Sequence, residues 1–229
     1  MTLTELIAYT RTKLDDTVAT KRGNYLWSDG EITIALNIAN NEWNEEIRNL
    51  RDSSTLAICN IGISDTDYEY DMSDLIIEII SARLNSDGLP IDIRTEAWMD
   101  HFCRYDWRSS LADKPLVIIP NYEAGTLRIY PKMNTGKSDV IWLSVARHQL
   151  TQFSTASPND SPEIHFTQHV LLVDGALREL YKKSDSKTFN PKASADAGND
   201  FEEHKSKAKA KKYRQNADSM PFAPDAGAI

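Results

Sequence analysis

The stretch LWSDGEITIALNIANNEWNEEIRNL, residues 26–50, constrains the fold most, because it joins a helix start signal to a sustained helical period and an apolar face. Ser28 takes the N-cap position and Glu31 completes a capping box, each side chain satisfying a first-turn amide that has no partner inside the helix. Asp29 and Glu31 also suit the positive helix end. Ile32, Ala35, Leu36, Ala39, Trp43, Ile47 and Leu50 recur at steps of three and four, while Asn37, Asn40, Asn41, Glu45, Arg48 and Asn49 fall mostly on other faces. The spacing predicts a central helix with one buried stripe. Ile34 and Ile38 lie off that stripe and imply a second contact, within the same domain or with a neighbouring subunit. An ordinary core helix has this pattern too, so it names no function.

Around it the chain alternates in character. Leu3, Leu6, Ile7, Thr10 and Leu14 predict a short amphipathic helix within residues 3–18 that packs antiparallel on the central one. Gly23 and Asn24 make the turn, and Tyr25, Leu26 and Trp27 form a hydrophobic staple. After Leu50 the period changes. STLAICNIGI, DYEYDM and LIIEIISARLN favour β-branched and aromatic residues and predict strands, with a turn at Ser86, Asp87 and Gly88 before LPIDI. Residues 94–107 return to helical spacing through Ala97, Trp98, Phe102 and Tyr105, a helix at the edge of a sheet. PLVIIPNY, TLRIYPKM and DVIWLSVARH complete a small antiparallel sheet or sandwich, joined through EAG and NTGKS. In the second of these, Leu127, Ile129 and Pro131 alternate with Arg128, Tyr130 and Lys132, one face buried and one exposed.

Helical period resumes after the loop SPNDSPEIHF, with Phe166, Val170, Val173, Leu177, Leu180 and Tyr181 on one stripe. A fourth helix starts at Asn190-Pro191 and runs through Ala193, Ala197 and Phe201 into a basic run. Its apolar face is weak and holds Gly198, so it is expected to form fully only against a partner. ADSMPFAPDAGAI, with two prolines and no period, reads as a flexible arm. The expected fold is α+β: an antiparallel helical bundle (1–52 and 150–186) with an inserted β-rich subdomain (53–149) and an extended C-terminal helix and arm (187–229). Its expected core is Leu6, Leu14, Trp27, Ile32, Leu36, Ala39, Trp43, Val170, Val173, Leu177 and Leu180.

With 41% hydrophobic and 26% charged residues the chain reads as a soluble folded protein. No apolar run approaches the roughly 20 residues of a membrane span. MTLTELIAYTRTKL lacks the apolar core and cleavage site of a signal peptide, which points to the cytoplasm. In that compartment Cys59 and Cys103 are expected to remain thiols. His101 and Cys103 are two apart on a helix and face apart, so they make no catalytic pair. His165 and His169 have a metal-binding spacing, but no Glu or Cys accompanies them. There is no phosphate-binding glycine loop, nucleophile elbow or paired CxxC. No enzymatic activity, metal or cofactor is expected.

A net charge of -8 argues against simple wrapping of nucleic acid. Yet Lys205, Lys207, Lys209, Lys211, Lys212 and Arg214 crowd one stretch. One reading is a solvated helix face balanced by Asp196, Asp200, Glu202 and Glu203. The other is a positive edge that meets an acidic partner surface or the backbone of passing DNA.

W-S-D-x-E opening a helix with L-N-x-A-x-x-E, Trp27 to Glu31 and Leu36 to Glu42, follows a short first helix. A β insertion with LRIYP at Leu127 to Pro131 comes next, then a loop with S-P before a long helix, then a further helix and tail. In this layout the chain resembles the head-to-tail adaptor (connector) proteins of tailed bacteriophages. The resemblance implies a virion protein of the head–tail junction, assembled in the host cytoplasm as a dodecameric ring between the portal and the tail tube or nozzle. It also implies a channel for double-stranded DNA, no catalytic residues and no membrane partner. The motifs do not cover the region after Ser186, so its role is read from chemistry alone. Lys205, Lys207, Lys209, Lys211, Lys212, Arg214, Met220, Phe222 and Ile229 are expected to dock on the portal or face nucleic acid, ordering on assembly. Tyr68, Tyr70, Trp107 and Tyr122, in or near predicted turns, are expected interface anchors. The competing reading is a cytoplasmic DNA-associated regulator whose basic C-terminal helix lies on DNA.

Overall fold

The computed structural model describes residues 1–17, 25–103, 107–184 and 188–217, with side chains as far as Arg214. Gly23, Asn24, Tyr105, Met220, Phe222 and Ile229 lie outside the described residues. The chain divides into two compact units, Met1–Ile47 with Thr151–Ile229, and Arg48–Leu150.

In the first unit, α1 (Leu3–Lys13) opens with a capping box of Thr2 and Glu5. The helix that follows, α2 (Asp29–Ile47), opens as its sequence requires: the Glu31 amide donates to Ser28 Oγ at 3.2 Å and the Ser28 amide to Glu31 Oε2 at 2.8 Å. Asp16 joins the two helices. Its buried carboxylate accepts from the Leu26 and Trp27 amides and from Arg11. Within the second stretch of this unit, Phe166–Gln168 is a 3-10 turn, so the helix expected from Phe166 onward begins later. Phe166 is 70% exposed and Val170 40%, and neither is core. The other residues of the expected core are buried.

In that second unit the elements are β1 (Arg51–Asp52), α3 (Leu56–Cys59), β2 (Asn60–Ser64), β3 (Glu69–Asp71), β4 (Ile76–Leu84), β5 (Pro90–Ile93) and α4 (Glu96–Phe102). A 3-10 turn at Trp107–Ser109 follows, then β6 (Leu111–Ala112), β7 (Val117–Pro120), β8 (Thr126–Tyr130), β9 (Lys132–Met133) and β10 (Ser138–Arg147). Eight strands form one sheet in the order β1-β10-β4-β5-β7-β8-β3, with β2 also on β10. Most pairs are antiparallel, but β5 and β7 are parallel, as are β6 and β9 in a separate pair. The sheet is therefore larger than expected, and mixed. Its inward faces bury Ile63, Ile118, Leu127, Ile129, Ile141 and Leu143 in one cluster.

The strand expected at STLAIC is instead the single helical turn α3. Asp52 sets it up: its Oδ1 accepts from the Ser54 and Thr55 amides at 2.9 and 3.1 Å, and its Oδ2 from Thr55 Oγ1 at 2.7 Å. A short acid that satisfies the following amides turns the chain before a strand can pair. Burial opposes the Asp52 charge, but these donors and Arg147 Nε at 2.8 Å outweigh it and hold the carboxyl well below its ordinary range.

Returning to the first unit, α5 (Leu171–Leu180) and α6 (Pro191–Ala217) pack on α2. Arg178 meets Glu42 while Lys183 meets Glu31, so α5 runs against α2. Trp43 meets Phe201, Glu46 meets Lys209, and Ile47 meets Lys212, so α6 runs with α2. The expected antiparallel helical bundle is not the fold. The described residues form a mixed structure of six helices and a large sheet, with strands dominating the core. A 3.6-residue period is legible over a long helix, whereas the pairing and register of strands are not. β4 shows this: its register on β10 shifts between Ser144 and Val145 and again between Ala146 and Arg147. Among the described residues no helix is long and apolar enough to cross a membrane.

Candidate functional site

The basic run lies on α6, and helical spacing sorts its cations into two sets. Lys205, Lys209 and Lys212 follow Ser194, Ala197 and Phe201 down the stripe that faces α2 and α5. Lys205 is only 1% exposed. Its ammonium donates to Glu42 Oε1 at 2.5 Å, to Glu202 Oε1 at 2.7 Å and to Glu46 Oε1. Lys209 pairs with Glu46 Oε2 at 2.5 Å, and Lys212 donates to the Ile47 carbonyl at 2.7 Å. Arg178 of α5 closes the network on Glu42 at 2.5 Å and Glu179 at 2.9 Å.

Below these charges sits Phe201, fully buried, 6.0 Å from the Trp43 ring and 5.0 Å from the Lys205 ammonium. Gly175 makes room for it, since a Cβ there would lie 2.8 Å from Ala39 Cβ and 3.0 Å from the Phe201 ring. One aromatic and a caged lysine anchor α6 within this unit. Glu42, Glu46 and Glu202 bring their carboxylates within 4.8 Å of one another, as metal ligands would. The Lys205 ammonium answers that charge instead. Arg178, by its hydrogen bonds, holds the Glu42 carboxyl down to about 2 against the cost of burial, with Lys205 adding to it. For Lys205 burial opposes the charge, and Glu202, Glu42 and Glu46 outweigh it, so its ammonium stays protonated above the ordinary lysine range.

Lys207, Lys211 and Arg214 form the other set. They are exposed, and Lys207 pairs with Glu203 at 2.5 Å. Of the nine residues expected to dock on the portal or nucleic acid, then, Lys205 is turned wholly inward and these three present charge to solvent.

Three of the four expected interface aromatics of the sheet unit converge on Arg128, which is 6% exposed. Its guanidinium lies 4.1 Å from the Tyr68 ring, 4.7 Å from Tyr122 and 5.2 Å from Trp107. It also donates to Glu69 and to the Arg108 carbonyl. Trp107 is 3% exposed and belongs to the unit's own core with Met99, Val117 and Ile119. A buried indole of this kind orders the loops rather than waiting for a partner. Tyr70 is half-buried, its hydroxyl held by Ser64 and Asp67. Tyr68, at 41% exposure, is the one of the four that faces solvent broadly. Arg128 was visible in the sequence only as the polar phase of a strand; no local signal tied it to three rings distant in the chain.

Both nitrogens of His169 are occupied, Nε2 by the Ile164 carbonyl at 2.9 Å and Nδ1 by the Met1 amino group at 2.8 Å, and burial pushes its pKa down. His165 turns to Thr167 and stacks on Phe166. The two histidines do not converge on one point. Cys59 and Cys103 are free thiols, and burial raises the Cys59 pKa.

Comparison with curated proteins finds no match. The family model described as SU10 adaptor protein matches residues 1–225. That span takes in both motifs that carried the resemblance, the sheet unit and all of α6. The chain therefore belongs to the SU10 adaptor protein family, the structural adaptors of the bacteriophage head–tail junction.

Proposed function

We propose that the chain assembles as a ring that joins the portal to the tail and surrounds the path of the DNA. The family match over residues 1–225 carries this reading. Two features of the chain suit it. Ile34 and Ile38 are large apolar groups left open on α2, as a protein with lateral neighbours requires. A net charge of -8 also suits a channel wall, since it repels DNA phosphates and keeps the duplex from sticking.

In this reading the part is structural and non-catalytic, and twelve copies are what the resemblance implies. Lys207, Lys211 and Arg214, with the segment carrying Met220, Phe222 and Ile229, dock on the portal. Mixing the purified chain with portal and following mass by sedimentation velocity tests the reading. A discrete portal-bound ring is expected. Salt-sensitive DNA binding by a chain that ignores the portal would support the regulator instead.

A further inference from the structure

In the sheet unit, β4 and β10 pair in unbroken register from Leu84 with Ile141 to Ser81 with Ser144. Side chains alternate between the two faces of such a pair. Ala82 and Leu143 turn into the core, both buried, so Ser81, Arg83, Trp142 and Ser144 stand together on the opposite face. Trp142 lies opposite Arg83 and Ser144 opposite Ser81. The four therefore mark the corners of a rectangle roughly 5 Å across the strands and roughly 7 Å along them. With Ser53, just after β1, and Pro90 of β5 they line a hollow of about 400 Å3.

One cation and no acid line this hollow, in a chain whose net charge is -8. Among the described residues the Arg83 guanidinium meets no carboxylate and lies 6.0 Å from the Trp142 ring. By contrast Arg48, Arg94, Arg108, Arg128 and Arg147 of the same unit each pair with an acid. The Ser53, Ser81 and Ser144 hydroxyls likewise have no protein partner among the described residues. The wall beside them is fixed, because the Trp142 indole nitrogen donates to Asn85 Oδ1 at 2.9 Å. The hollow thus gathers uncommitted donors around a rigid aromatic surface.

We propose that this hollow binds a small molecule through a phosphoryl group, held by Arg83 and by the Ser81 and Ser144 hydroxyls, with Trp142 against the attached carbon body. The free guanidinium selects an anion, and its fork of donors matches the oxygens of a phosphoryl group. Two hydroxyls from adjacent strands add donors from other directions, which a tetrahedral group can use and a planar carboxylate cannot. Size selects a small ligand: about 400 Å3 falls in the range of small-molecule sites and is too confined for a duplex. Trp142 supplies the large apolar face that the ring or carbon part of such a ligand covers. The site is complete within one chain and does not depend on ring assembly.

Isothermal titration calorimetry of the full chain tests it, with adenosine monophosphate, ribose 5-phosphate, inorganic phosphate, adenosine and acetate as probes. At least one phosphate-bearing probe should bind saturably where adenosine and acetate at the same concentration do not. The tightest of the three separates a free ion from an ester. Arg83→Met should weaken that binding by roughly tenfold or more, and Ser81→Ala and Ser144→Ala by about two- to tenfold each. Arg83 and Ser81 are exposed, so their substitution spares the fold. Lys211→Met, which removes a cation from the helical unit, should leave the affinity unchanged. The proposal is overturned if no phosphate-bearing probe binds, if acetate or adenosine binds as tightly, or if binding survives Arg83→Met or falls equally with Lys211→Met.

Discussion

Lys205 shows how little a residue's class says about its place. It sits in a basic run, yet three carboxylates surround it and 1% of it is exposed. Removing such a partner strands the remaining charges, so Lys205→Met should destabilise the fold by about 3–5 kcal/mol. Lys211→Met, on the solvent face, should stay within about 0.5 kcal/mol. Urea titrations of the two variants give the comparison, and equal midpoints would contradict the buried network. The same network makes stability depend on pH. The Glu42 carboxyl falls from 4.5 to about 2 on folding, first through Arg178 and then through Lys205. Because its folded value is the lower one, its contribution is complete above about 4.5 and is lost as pH falls toward 2. Unfolding midpoints measured at pH 7, 4 and 3 should drop across that window, and Glu42→Gln should flatten the drop while lowering the plateau.

Among the elements, α2 was legible almost to its ends, because a capping box, an apolar stripe and length all agree. α6 was half legible. Ala197, Phe201, Lys205, Lys209 and Lys212 share one helical face, so their spacing marks those lysines as inward, whereas their charge alone is that of a solvated surface. α3 was not legible, since the turn is made by Asp52 contacting backbone rather than by any pattern of hydrophobic residues. The bulges of β4 likewise put Ile76, Ile77, Ile79 and Ile80 out of simple alternation. Helix packing gives two further predictions. Gly175→Ala would drive a methyl group into Ala39 and Phe201 where α5 crosses α2 and α6, and should cost about 1–3 kcal/mol. Trp43→Ala would empty the same junction and should cost about 3–5 kcal/mol. A circular dichroism melt that either change leaves in place would show that this junction is not what holds α6.

At the scale of the molecule, the family was legible from two short motifs and an order of parts, while the fold was not. The long helices announced themselves and suggested a bundle; the sheet, assembled from eight strands mostly shorter than six residues, dominates the core instead. The site was legible in kind and not in detail. The sequence located the charged and aromatic residues that matter, but their partners, Glu42, Glu46 and Arg178 for the lysines and Arg128 for the rings, come from distant segments. What the chain does as an adaptor depends on neighbours it must meet through the surfaces these networks leave free. Negative-stain microscopy of the purified chain, alone and mixed with portal, tests that most directly. Closed rings with a central channel, seated on the portal, are the predicted result; dispersed monomers beside bare portals would contradict it.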